Sequence, residues 1–256
     1  MRVLISVVVT IVSLLSFPAA AEQRRLLIYC GITMVRPVTE LARVFEAREK
    51  VAIQVAQGGS EDLYQSAKKS RLGDIYFPGE PSYRDIHLAE GLLGDYRVIG
   101  HNQMALFVQK GNPKQVSGQL RELLRKDLVV VIGNAASGSV GHESRRMLDA
   151  AGIYPKVVAN ASELLPDSRS VNLALKRSYA DLALNWRATA LFPDNAPYVD
   201  IIDLPSTVAA PQPLLMVELT FSRNPVDARR FIEFAASEEG QAVFRRHGFL
   251  DSKGNR

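Results

Sequence analysis

Three stretches of this chain place small or hydroxylated residues where a helix is about to begin: Thr33 to Pro37, Gly58-Gly59-Ser60, and Ser137-Gly138-Ser139-Val140-Gly141. The first turn of a helix carries backbone N–H groups with no intrahelical acceptor and a partial positive charge. Several such starts meeting at one point can hold an oxyanion without a buried lysine. Anion binding is therefore the chemistry these residues predict. Thr33 reads as a helix cap or a ligand donor, with Met34 and Val35 supplying amides because Pro37 has none. Ser60 stands where an N-cap belongs, ahead of the apolar positions Leu63 and Ala67, and Gly59 lets a ligand approach the backbone. Glu61 and Asp62 suit the dipole of that helix but repel an anion, so either they turn away from the pocket or the ligand is not a simple dianion. Arg36 and Arg187 are candidate charge partners, against the alternative of solvated surface arginines. Trp186 can donate its indole N–H into a cleft or simply pack.

Catalytic patterns do not emerge. Ser139 lacks the glycine two residues before it that a nucleophile elbow requires, and no Gly-Lys-Ser/Thr follows the Ser137–Gly141 turn as in a phosphate loop. The four histidines, His87, His101, His142 and His247, have no ligand-like spacing. A binding protein without metal or cofactor is expected, not an enzyme.

The elements that must position these starts alternate, which argues for an α/β fold. Strands are predicted at Arg25 to Tyr29, Val51 to Val55, Asp74 to Phe77, Met104 to Val108, Leu128 to Ile132, Ala180 to Asn185 and Leu214 to Thr220. Between the first two, Val38, Leu41, Ala42 and Phe45 recur at helical spacing and make a βαβ unit. Asn224-Pro225 opens a helix carrying Ala228, Phe231, Ile232 and Ala235, and Ser237 caps a last one whose Glu238 and Glu239 complement its dipole.

At the other end, Arg2, the apolar run Val3 to Phe17 and the small residues Ala19-Ala20-Ala21 read as an export signal over residues 1–21. Roughly 230 residues follow, enough for one large domain or two lobes of about 110 each. A single cysteine, Cys30, allows no internal disulfide, so an exported chain of this kind relies on its core. The formal net charge of +4, with cations scattered among acids, gives no support to nucleic-acid binding.

The order of these parts resembles the periplasmic molybdate-binding proteins, solute receptors of ABC importers. The likeness runs from about Leu26 to Phe249, through Ile28-Tyr29-Cys30-Gly31-Ile32-Thr33-Met34, Gly58-Gly59-Ser60, Gly73-Asp74-Ile75-Tyr76, Ser139-Val140-Gly141, a helix start at Ser170-Val171-Asn172-Leu173-Ala174-Leu175 and Ala180-Asp181 up to Trp186, and closes on Ser237 to Phe244 and Gly248-Phe249. It implies a two-lobed fold with a ligand cleft, lobe one from residues 22–103 and 213–256 and lobe two from 104–212. It implies ligand hydroxyls at Thr33 and Ser60, backbone donors at Val140 and Val171, and Trp186 where the family carries a tyrosine. It also implies a periplasmic monomer that binds a tetrahedral oxyanion such as molybdate or tungstate and meets an inner-membrane permease. The alternatives are another anion or small organic solute on the same fold, or a sensor reporting to a membrane signalling partner.

Overall fold

The computed structural model describes residues 24–255, and the export-signal reading of residues 1–21 lies outside them. The elements run β1 (Arg25–Gly31), α1 (Val35–Glu49), β2 (Ala52–Gly58), α2 (Ser60–Ser70), β3 (Ile75–Phe77), α3 (Ser82–Asp85), β4 (Leu93–Asn102), β5 (Met104–Gln109), β6 (Val130–Gly133), α4 (Ser139–Ala150), α5 (Tyr154–Asn160), β7 (Glu163–Leu165), α6 (Ser168–Lys176), β8 (Leu182–Trp186), β9 (Val199–Asp203), β10 (Gln212–Leu219), α7 (Pro225–Ala236) and α8 (Glu238–Arg246).

These strands make two five-stranded sheets built to one plan. The first has the order β2-β1-β3-β10-β4 and the second β7-β6-β8-β5-β9. In each, three strands run parallel, and the fourth and fifth join by antiparallel pairing. The fourth strand comes from beyond a crossover: β10 returns to the first sheet, and β5 enters the second directly after β4. The protein is thus a two-lobed α/β structure.

Strands covered on both faces need continuous apolar sequence, which is why β1 reads Leu-Leu-Ile-Tyr-Cys. One face of the first sheet packs Ile28, Cys30 and Met216 with Leu41 and Phe45 of α1, Phe231 of α7 and Phe244 of α8. The other packs Tyr29, Tyr76 and Val217 with Leu63 and Tyr64 of α2. Burial pushes the Cys30 thiol upward, so it stays protonated and behaves as a small apolar group. Around the second sheet, Leu106, Ile132 and Trp186 pack with Met147 of α4, while Phe107 and Ala183 pack with Val171 and Leu175 of α6.

At one crossover Gln103 alone links β4 to β5; at the other, residues 204–211 link β9 to β10. The Gln103 side chain donates to the Ala209 carbonyl at 2.7 Å, so the two crossovers are tied to each other. Among the described residues no helix is long and apolar enough to cross a membrane.

Candidate functional site

Because the sheets share a plan, helices occupy matching places. α1 and α2 follow parallel strands β1 and β2, and α4 and α6 follow parallel strands β6 and β7. Carboxyl ends of parallel strands are where α/β sheets place ligands. Here the two sets face each other: one small cavity of about 10 Å³ is walled by Gly59 and Ser60 of the α2 start, Ser139 and Val140 of the α4 start, Asp167 and Ser168 of the α6 start, and the turn at Ile32 before α1. The amides of Ser60, Ser139, Val140 and Ser168 lie in first turns, where no intrahelical acceptor exists. No lysine or arginine lines this cavity.

Close backbone approach makes the convergence possible. A side chain on Gly59 would sit 2.6 Å from the Ser137 carbonyl oxygen, and one on Gly79 would sit 2.1 Å from the Ser139 hydroxyl. Both are contacts from one lobe to the other. Within the second lobe, a side chain on Gly141 would lie 2.0 Å from the Asn134 carbonyl, so that glycine lets α4 start directly against the end of β6.

Several expected roles change in detail. Ser60 is not the cap of α2; Gly59 holds that position, and the Ser60 hydroxyl instead accepts the Gly79 amide at 3.0 Å while Tyr76 donates to the Ser60 carbonyl at 2.9 Å. Thr33 does not cap α1 either. It lies in a 3-10 turn over Ile32–Met34 and its hydroxyl donates to the Met34 sulfur at 2.7 Å. The helix expected to start at Ser170 begins at Ser168, because the Asp167 carboxylate accepts the Ser170 amide at 2.8 Å and acts as the cap. Val171 is consequently one turn in: its amide bonds the Asp167 carbonyl at 3.1 Å and its side chain is in the core. Trp186 is fully buried, with its indole N–H donating to the Ser139 hydroxyl at 3.1 Å. It orders the α4 start from behind.

Of the charge partners, Arg36 pairs with Asp194, lies over the Phe192 ring and lines a second, larger cavity together with Thr33. Arg187 pairs with Asp203 at 2.7 Å and lines neither cavity. Glu61 takes His87 at 2.9 Å and Gln65 at 2.8 Å, and neither it nor Asp62 lines either cavity.

Four residues escaped sequence reasoning. Gly79 signalled a turn through Pro78-Gly79, but its contact with Ser139 is tertiary. Ser168 and Asn172 stood inside a segment whose register was set by the wrong cap. The fourth is Glu80, whose buried carboxylate meets His142 of α4 at 3.1 Å and also accepts the Ser82 hydroxyl at 2.6 Å. The Glu80 hydrogen bond raises the His142 pKa, with Glu143 adding to it and Arg145 opposing. Since Glu80 and His142 come from different lobes, a raised value means that protonated His142 favours the joined arrangement. That contribution is complete below the ordinary histidine pKa of about 6.5 and disappears as pH rises through the elevated value. The contact between the lobes at this point is expected to weaken as pH rises above about 6.5 through the elevated value, and His142→Gln is expected to flatten that dependence; thermal unfolding at a series of pH values checks this.

Two lobes joined by two crossovers, with opposed helix starts meeting between them, define a two-lobed binding protein. The chain belongs to the bacterial extracellular solute-binding protein family, whose sequence pattern matches residues 26–250. It is 24% identical over 253 residues to a protein of Haemophilus influenzae named as a binding protein, covering 96% of this chain and 98% of that one. Its fold is similar to the periplasmic molybdate-binding protein of Azotobacter vinelandii, at a TM-score of 0.74 and 15% identity over 88% of this chain and 98% of the other. It is also similar to the periplasmic binding protein AfuA of Actinobacillus pleuropneumoniae with fructose-6-phosphate bound, at a TM-score of 0.78 and 15% identity over 92% and 87%. Among the described residues there is no group of three or more His, Cys, Asp or Glu side chains arranged to hold a metal ion.

Proposed function

We propose that this protein is the periplasmic solute receptor of an ABC importer, that it holds a tetrahedral oxyanion group between its lobes, and that it delivers the solute to an inner-membrane permease. The observation that carries the reading is the small cavity walled by the starts of α2, α4 and α6, with first-turn amides, no cationic side chain and the one acid Asp167, whose carboxylate is engaged by the Ser170 amide. Such amides suit a negatively charged group because they are fixed donors backed by helix dipoles. With charge-assisted bonds at about 1.5–3 kcal/mol each, a handful reaches micromolar affinity, about −8 kcal/mol, after desolvation and lost freedom are offset. The fold relatives support this choice of ligand group, since molybdate and the phosphate of fructose 6-phosphate are both tetrahedral oxyanions.

A cavity of about 10 Å³ is room for one water molecule. An oxyanion is larger, so on this reading the lobes part at the tied crossovers to admit it and settle around it. Closure is then the event a permease recognises.

Thermal-shift measurement against molybdate, tungstate, sulfate, phosphate and phosphate esters tests the reading, because a ligand that binds only the folded state raises Tm by mass action. At least one of these anions is expected to raise Tm in a concentration-dependent way; no shift with any of them contradicts the proposal. Ser60→Ala is expected to weaken the best anion by about 1–3 kcal/mol, because the Gly79 amide loses its acceptor and the α2 start its anchor. Unchanged affinity in titration calorimetry removes Ser60 from the site.

A further inference from the structure

The small cavity does not stand alone. Ser168 is common to its wall and to that of a second cavity of about 440 Å³ between the lobes, lined on one side by Thr33 and Arg36 and on the other by Asn172 and Leu173 of α6. That volume lies in the range of small-molecule sites and far exceeds what a bare tetrahedral ion needs.

The two cavities differ in the groups they offer. Asn172 donates its Nδ2 to the Ser168 carbonyl and to the Thr189 hydroxyl, each at 2.9 Å. A carbonyl only accepts, so the amide orientation is fixed and Oδ1 is its remaining acceptor. That Oδ1 is buried without a hydrogen-bond partner, and so is the Ser168 hydroxyl. Both residues are 2% exposed. Buried polar atoms are ordinarily satisfied, and Ser168 and Asn172, one turn of helix apart, both line this cavity, so a ligand that reaches between them as the lobes part would complete both. An acceptor needs a donor, which a fully ionised oxyanion does not have. Arg36, Arg169 and Lys176 line the larger cavity against the single acid Asp194, so its field favours an anion.

We infer that the solute is a small hydroxylated organic phosphate, its phosphate group against the starts of α2, α4 and α6 and its hydroxylated body in the larger cavity beside Ser168 and Asn172. This rests on the anion reading above and extends it from a charged group to a whole molecule with two compartments.

Calorimetry on the purified protein with glycerol 3-phosphate, fructose 6-phosphate, n-propyl phosphate, inorganic phosphate and molybdate tests it. At least one hydroxylated ester is expected to bind ten-fold or more tightly than both n-propyl phosphate, which has no hydroxyl, and inorganic phosphate. Leu173→Trp, at an exposed position on the wall of the larger cavity, is expected to weaken that ester at least ten-fold and to leave inorganic phosphate or molybdate within two-fold. Inorganic anions binding as tightly as every ester, or an ester whose affinity ignores Leu173→Trp, overturns the two-compartment site while the anion reading stands. If none of the five binds, the organic-phosphate proposal falls, and the anion reading falls with it when sulfate and tungstate also fail to raise Tm. The comparison among ligands uses the unaltered protein, so it decides the matter even if the tryptophan variant folds poorly.

Discussion

Gly59→Val is expected to weaken ligand binding roughly 5- to 150-fold while changing the stability of the free protein by no more than about 1 kcal/mol. The backbone of Gly59 has φ −67° and ψ 146°, an extended conformation that any residue adopts, so a side chain there causes no local strain. Replacing glycine at such a position by alanine stabilises by about 0.4–1 kcal/mol through the unfolded chain, an effect of similar size and opposite sign to the preference for glycine over valine at the cap of α2. The obstacle lies across the cleft, where the first added carbon would stand 2.6 Å from the Ser137 carbonyl oxygen. Backbone of the opposite lobe cannot rotate aside as a side chain tip can, so the α2 and α4 starts are held apart. Overpacking of this kind costs about 1–3 kcal/mol and sometimes more, which appears as a roughly 5- to 150-fold loss of affinity. Urea unfolding and calorimetry on the same preparation separate the two effects. An affinity equal to that of the unaltered protein would show that binding does not require the lobes to meet at this point.

The second large effect concerns stability. Trp186→Ala is expected to destabilise the protein by about 3–5 kcal/mol, or roughly 2–4 °C in Tm for each kcal/mol in a chain of this size. Trp186 is fully buried at the end of β8 in the core of the second sheet, and its indole N–H holds the Ser139 hydroxyl. Trp186→Phe keeps much of the packing and removes the donor, so it is expected to recover most of the stability and to loosen the α4 start. An alanine variant as stable as the unaltered protein, with affinity alone reduced, would instead return Trp186 to the role of a ligand-facing group.

How far the chain could be read from its residues follows from which signals are local. The β1-α1-β2 unit was legible because β1 is a continuous apolar run and Val38, Leu41, Ala42 and Phe45 form the buried face of α1. β4, β7 and β9 were not read as strands. β4 and β9 are sheet edges, so Asp95, Tyr96, Arg97 and Asp203 are exposed and dilute the apolar pattern; β7 is an edge of only three residues. The helix starts at Gly59-Ser60 and Ser139-Val140 were legible because glycine and hydroxyl residues mark them locally. Their roles were not, since the acceptor that Ser60 provides is for Gly79, nineteen residues further on. The register of α6 was missed because Ser170 was taken for its start when Asp167, directly after Pro166, is the stronger cap. The larger cavity has no local signature at all, because it exists only where Thr33 and Arg36 of one lobe face Ser168 and Asn172 of the other.

The central claim is that one oxyanion group sits among the starts of α2, α4 and α6. Crystals grown with tungstate test it most directly, because the anomalous scattering of tungsten fixes the ion's position independently of the protein map. The account predicts a single strong peak between the lobes, within hydrogen-bond distance of the Ser60, Val140 and Ser168 amides. No peak there, or tungsten confined to surface arginines such as Arg145 or Arg229, contradicts it.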